Sequence, residues 1–316
     1  MTTSVKVKKK VNQIEYYESP IVSWFWAGFL CILLVIVPFD SVTAQSEIEI
    51  SKEVTFKSKG VTLAGTIYKP KNPIAAMVIV HGSDSVPRMN DFADLLAQNG
   101  ISVLTYDKRG VAESGGIYVG PEVGTNNISQ ENLDLLAEDV SSAVDLLNQE
   151  IKNIPIGLVG FSQAGWIIPI VANKNPLVQF MVLFSCPTIN TLEQLRFQFY
   201  TDGRTDFWDN HTDEDAREHV HNDPDKYQFA ATDPKDFLGK LSIPGLWLFG
   251  EKDIQIPVGM CIEQLNSLKA KGKPFEYALF SNLGHNTAFA TSWLPFDIST
   301  HWIRQKVMDL QLNNTK

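Results

Sequence analysis

The chain of 316 residues is 44% hydrophobic and 20% charged, and its net charge at pH 7 is −9. This is the composition of an ordinary globular protein of one large domain or two small ones, long enough to bury a substantial core. The acidic balance gives nucleic acid no electrostatic footing, and three cysteines are too few for a disulfide scaffold.

At the N-terminus, Lys6, Lys8, Lys9 and Lys10 precede an apolar run over residues 21–39 that ends in Ser41-Val42-Thr43-Ala44. Basic, apolar and small residues in that order form the pattern of an export signal cut between Ala44 and Gln45. Residues 1–44 are therefore expected to be removed, leaving 45–316 as a periplasmic or secreted domain. The apolar run is also just long enough to span a bilayer, so the second reading is an uncleaved anchor, the only membrane contact expected. Either reading carries the rest of the chain out of the cytoplasm. Cys31 lies inside the run rather than after it, which argues against lipid modification. Cys186 and Cys261 are left in the domain, either bridged or, as their small number favours, as two buried thiols.

Residues 49–68 alternate, with Val54, Phe56, Val61, Leu63 and Ile67 around Ser58-Lys59-Gly60, which predicts an antiparallel hairpin. The run Ala75–Val80 is apolar without alternation, as in a strand buried on both faces, and ends in His81-Gly82-Ser83. A helix is expected over residues 91–99, with Phe92, Leu95 and Leu96 on one face and Gly100 as its stop. Ile101–Tyr106 is the next short strand, followed by the loop Asp107-Lys108-Arg109-Gly110. Leu133, Leu136, Val140, Ala143, Val144 and Leu147 then form a helical stripe.

Residues 156–159 are a short apolar strand, and Gly160-Phe161-Ser162-Gln163-Ala164-Gly165 passes into a helical pattern carrying Ile167, Ile168, Ile170 and Val171. Ser162 therefore stands at a strand-to-helix corner. Such a corner strains the backbone and needs small neighbours, which Gly160, Ala164 and Gly165 supply. The new helix aims its N–H groups at whatever the serine attacks.

Two further strands are expected at residues 180–185 and 243–250, so the alternation implies a parallel sheet covered on both faces. Between Pro187 and Leu241 roughly two helical patterns stand where the rhythm predicts one. This stretch mixes Phe197, Phe199, Tyr200, Phe207, Trp208, Tyr227 and Phe229 with acidic residues. A cap over about residues 188–240, lying at the C-terminal edge of the sheet, is expected from the aromatics. The strand Phe275–Phe280 is followed by Ser281-Asn282-Leu283-Gly284-His285 and a C-terminal helix carrying Trp293, Phe296, Trp302 and Ile303.

A serine hydroxyl needs a base, a group that orients the base, and donors for the developing oxyanion. Of the six histidines, His285 follows the last strand, beside a glycine. The acid is Asp253 in the loop after the preceding strand, with Glu251 as the alternative, or Asp253 is a helix N-cap. His219 and His221, two apart in a helical segment, face different ways and do not form a metal pair.

The segment from Gly160 to Ala164 resembles the nucleophile elbow of the α/β-hydrolase family, with Ala164 where the pattern has its last glycine. The order Ser162, Asp253, His285 matches that family, and the loops around Asp253 and His285 are similar to its acid and histidine loops, which favours Asp253 over Glu251. His81-Gly82-Ser83 resembles the loop that supplies one oxyanion donor in esterases and related peptidases. The resemblance therefore implies Ser83 N–H and Gln163 N–H as the oxyanion hole, a structural role for His81, and a rim-holding role for the loop from Asp107. It covers nearly all of residues 45–316 and looks like an exported esterase or serine-peptidase-like branch.

The implied fold is an α/β-hydrolase fold, with a mostly parallel central sheet, an N-terminal antiparallel hairpin and a helical cap insertion. The implied activity is acyl transfer on a small or medium ester, without cofactor or metal. An aminopeptidase or acyl-peptide hydrolase on the same triad ranks second, and a non-catalytic binding protein of that fold third. A small-molecule ester or short peptide is the expected partner, and the oligomeric state is left open.

Overall fold

The computed structural model describes residues 48–121, 127–224 and 230–314. The segment read as signal or anchor, Cys31 within it, and Tyr227 and Phe229 of the insertion lie outside the described residues. Strands β1 (Ile48–Ser58) and β2 (Val61–Pro70) form the expected hairpin, paired from Ser58 and Val61 outward. Lys59 and Gly60 both have positive φ, 43° and 82°, the backbone of a tight two-residue turn whose twist matches that of its strands.

Six more strands follow: β3 (Ala75–Val80), β4 (Ile101–Tyr106), β5 (Ile156–Phe161), β6 (Val178–Phe184), β7 (Gly245–Gly250) and β8 (Phe275–Phe280). They complete an eight-stranded sheet in the order β1-β2-β4-β3-β5-β6-β7-β8. The hairpin joins β4 antiparallel, and every pair from β4 to β8 is parallel. This is the α/β-hydrolase arrangement. Chain order reverses at β3, which has β4 on one side and β5 on the other, so the crevice at their C-terminal ends is the topological switch point where such sheets bind ligands.

Each central strand buries both faces, which is why its sequence runs apolar without alternation. Val78, Leu158, Met181 and Trp247 face one core with α2 (Gln130–Glu150), α3 (Ala164–Lys174) and α8 (Val258–Ala270). Met77, Val159, Val182 and Leu248 face the other with α1 (Asn90–Gln98) and α9 (Leu294–Asn314). All six residues of the predicted stripe from Leu133 to Leu147 are buried. Trp293, expected on the C-terminal helix, lies just before it and is exposed.

The interval between β6 and β7 differs from the two helices expected. Among the described residues it holds four: α4 (Thr191–Thr201), α5 (Phe207–Asn210), α6 (Asp213–Asn222) and α7 (Lys235–Leu238). Local polar chemistry cuts it up. Side chain and backbone cap each other reciprocally between Asn190 and Glu193 to start α4, and between Thr212 and Asp215 to start α6, while Asp202 ends α4 in left-handed backbone. Phe197, Phe207, Ala216 and Val220 bury one another in a small separate core.

Cys186 and Cys261 are both free and buried, and burial pushes both thiols up, Cys261 to about 12. Arg109 reaches from the loop after β4 into the core, where its Nε donates to Asp139 of α2 at 2.9 Å and its Nη2 closes a second bond to the same carboxylate. Both side chains are almost fully buried. Arg109→Met should therefore lower stability by about 3–5 kcal/mol in urea denaturation, because it strands the Asp139 charge. The double variant Arg109→Met/Asp139→Leu should recover most of that loss.

Candidate active site

The candidate nucleophile position, Ser162, is built by β5 and α3. Ser162 has φ 48°, a left-handed conformation that non-glycine residues rarely adopt, and its N–H donates to Phe184 O of β6 at 3.2 Å. A Cβ on Gly160 would lie 2.5 Å from the Cβ of Ala164, so only one of the two positions can carry a side chain. That is why alanine is tolerated where the elbow pattern has its last glycine. The N–H of Gln163, at the head of α3, meets no acceptor among the described residues.

The switch point puts the loop after β3 beside this corner. Val80 pairs with Gly160 in register, and two residues further on a Cβ at Gly82 would stand 3.6 Å from that of Ser162. The Ser83 N–H likewise has no acceptor among the described residues. His81 is buried edge-on to Tyr106, and burial, aided by the nearby Lys108 ammonium, holds it down at about 3, so it stays neutral. Its Nε2 finds no hydrogen-bond partner among the described residues.

On the other side of the corner, Asp253 is completely buried in the loop after β7. Its Oδ1 accepts the N–H groups of Gln255 at 2.7 Å and Ile256 at 3.0 Å, and its Oδ2 lies 2.7 Å from His285 Nδ1. Asp253 is not a helix cap, since α8 begins after Pro257, and Glu251 is exposed. The His285 loop is drawn back across the strand ends: Thr287 Oγ1 donates to Leu248 O of β7 at 3.2 Å and lies 2.8 Å from Ser185 Oγ after β6. Phe289 then packs on Phe161, the residue before Ser162, with ring centroids 5.5 Å apart. His285 Nε2 and Ser162 Oγ have no hydrogen-bond partner among the described residues. The structure thus joins Asp253 to His285 and packs the segment that follows on the strand end before Ser162, without a hydrogen bond between His285 and Ser162.

The insertion is fastened to the acid loop. Three consecutive carbonyls, those of Asp253, Ile254 and Gln255, accept from Trp208 Nε1 at 2.8 Å, Thr201 Oγ1 at 2.6 Å and Gln194 Nε2 at 2.8 Å. Sequence reasoning expected an insertion and did not foresee this seam, because nothing local marks a side chain that hydrogen-bonds a carbonyl tens of residues away. It also placed Lys108 in a rim-holding loop without a role of its own. Asp107 does hold the rim: burial would raise its carboxyl, but the hydrogen bonds from Arg88 outweigh that and keep it low. Lys108, by contrast, turns inward to Gly82, Ser83 and Gln163. A lysine two residues past the end of an apolar buried strand was the available signal.

A family model described as serine aminopeptidase, S33, matches residues 71–249. Among solved structures, an esterase of Pyrococcus furiosus superposes with a TM-score of 0.60 at 16% identity, covering 82% of this chain and 91% of its own. The acylaminoacyl peptidase of Pyrococcus horikoshii gives 0.56 at 16% identity over 78% of this chain and 39% of its own. An α/β hydrolase from a Penicillium species gives 0.53 at 17% identity, over 81% and 96%. At such identities the likeness is one of fold. No curated protein matches the sequence.

The histidine loop depends on a missing side chain at the end of β7. A Cβ on Gly250 would lie 2.2 Å from Gly284 O and 2.4 Å from Leu283 O, both backbone atoms with little room to move. Gly250→Ala should cost about 1–3 kcal/mol in urea denaturation. It should also displace the loop, seen as loss of the low-field NMR signal of the His285 Nδ1 proton shared with Asp253.

Proposed function

The chain belongs to the serine aminopeptidase S33 family, built on the α/β-hydrolase fold, and from that premise we propose that it cleaves small or medium acyl esters through an acyl-enzyme on Ser162. The observation that carries this reading is the 2.7 Å contact between His285 Nδ1 and the fully buried Asp253, made by a loop that also packs on the residue before Ser162.

His285 Nε2 takes the proton of Ser162 Oγ as that oxygen attacks the acyl carbon. Asp253 keeps the other ring proton on Nδ1, so that Nε2 is the basic nitrogen, and stabilises the imidazolium that forms. The N–H groups of Gln163 and Ser83 receive the charge that develops on the carbonyl oxygen. The imidazolium then gives its proton to the departing alcohol. Water, deprotonated in turn by His285, attacks the acyl carbon and frees the acid. Phe289, exposed against Phe161, sets apolar surface beside the nucleophile, which supports an ester with an apolar portion. The insertion serves as a cap over this mouth.

A second reading is an aminopeptidase or acyl-peptide hydrolase on the same three residues. It is favoured by the family's description and by the acidic residues of the insertion, which would suit a substrate amine.

A fluorophosphonate probe should label the protein and fail to label Ser162→Ala, whose ester turnover should fall by about 10⁵-fold or more. Asp253→Asn should lose on the order of 10⁴-fold in kcat. Short nitrophenyl esters compared with aminoacyl anilides rank the two substrates: faster anilide turnover would put the peptidase first, and an unlabelled wild type would remove the mechanism.

A further inference from the structure

Lys108 is a buried cation with no carboxylate partner among the described residues, its side chain closed off where the loop after β4 crosses the ends of β3 and β5. An ammonium has three donors and no acceptor, and here three neutral oxygens take them: Gly82 O at 2.7 Å, Ser83 O at 3.0 Å and Gln163 Oε1 at 3.3 Å. Tyr118 completes the enclosure. Its hydroxyl donates to the same Ser83 carbonyl at 2.8 Å, and the Lys108 Nζ stands 5.4 Å from its ring centre. The Gln163 side chain is held at its other end, where Nε2 donates to Asn127 O at 2.9 Å. A charge removed from water and offered only carbonyl and amide oxygens is costly, and a neutral residue of the same length would fill the space without that cost.

The placement has a chemical consequence. Gly82 C=O and Ser83 N–H belong to one planar trans peptide, so a carbonyl pointing at Lys108 leaves the N–H pointing the opposite way. A cation on the oxygen end withdraws electron density from that peptide and makes its N–H a stronger donor. The third bond of the same ammonium fixes Gln163, whose own backbone N–H opens α3.

We propose that Lys108 is a positioning residue for the oxyanion site, its ammonium clamping and polarising from behind the two segments that present the Ser83 and Gln163 N–H groups. The proposal rests on the reading of those two groups as oxyanion donors, and Lys108 itself touches no reacting atom.

Burial holds the Lys108 amine down at about 8, against a smaller opposing pull from Asp84. The other groups facing it are His81, which stays neutral, and the Tyr118 phenol; its chain neighbours Asp107 and Arg109 are engaged by Arg88 and Asp139. Above about pH 8 the clamp therefore loses its charge.

The test is kcat and KM for nitrophenyl acetate across pH, for the full chain and for Lys108→Met, with thermal midpoints recorded alongside. The variant should lose about 10- to 100-fold in kcat with KM within about threefold, less than deletion of a donor outright. The wild type should lose kcat as pH rises through about 8 at an unchanged thermal midpoint, and the variant should lack that decline. Lys108→Met within twofold of wild type in kcat overturns the proposal. So does a lower kcat with the alkaline decline intact, which would mean packing alone. Should that variant not fold, Lys108→Gln, which keeps a polar donor without the charge, decides on the same readouts: a loss of about 10-fold or more in kcat with KM within about threefold supports the clamp, and kcat within twofold of wild type overturns it. Failure of the wild type to take a fluorophosphonate at Ser162 is a different result, which removes the underlying serine chemistry and the clamp with it.

Discussion

A serine in left-handed backbone at the end of a central strand is the constraint from which the rest of this site follows. Such a conformation costs on the order of 1–3 kcal/mol and persists only where its neighbours over-determine it. Here Ser162 N–H is held by Phe184 O, the turn is closed by Gly165 N–H on Ser162 O, and the strand and helix approach so closely that Gly160 and Ala164 share room for one methyl. The next N–H, that of Gln163, is left without an acceptor among the described residues.

Around that corner the loops reach inward from both edges of the sheet, and the strand order decides which can meet. From the β4 side, three consecutive residues hold three different segments: Asp107 holds Arg88, Lys108 holds Gly82, Ser83 and Gln163, and Arg109 holds Asp139. From the β8 side, Thr287 spans β7 and β6, and Phe289 rests on Phe161. The insertion adds a third support by bonding to the three carbonyls from Asp253 to Gln255, so its aromatic core is continuous with the loop that holds the acid.

Several polar groups near the site are set aside by burial. His81 is neutral, and the thiols of Cys186 and Cys261 are pushed far above the range in which they would ionise at neutral pH. The His285 imidazole differs from His81 in that its Nδ1 lies 2.7 Å from a buried carboxylate, that of Asp253.

Local pattern determined a great deal. The hairpin with its Lys59-Gly60 turn, the buried strands, the stripe from Leu133 to Leu147 and the corner at Ser162 were all legible, because hydrophobic period and small residues act over a few positions. The choice of Asp253 over Glu251 also came from loop pattern; in the structure Asp253 is buried against His285 and Glu251 is exposed. The breakup of the insertion into four helices among the described residues was missed, since it turns on capping bonds and one left-handed aspartate. Only the tertiary structure decided that Lys108 lies behind Ser83 and Gln163, that Thr287 and Gly250 place the histidine loop, and that Trp208, Thr201 and Gln194 grip the acid loop. Those contacts join residues tens to more than a hundred positions apart, and side chains of ordinary type reveal nothing of such partners until the order of the strands has brought them to one edge.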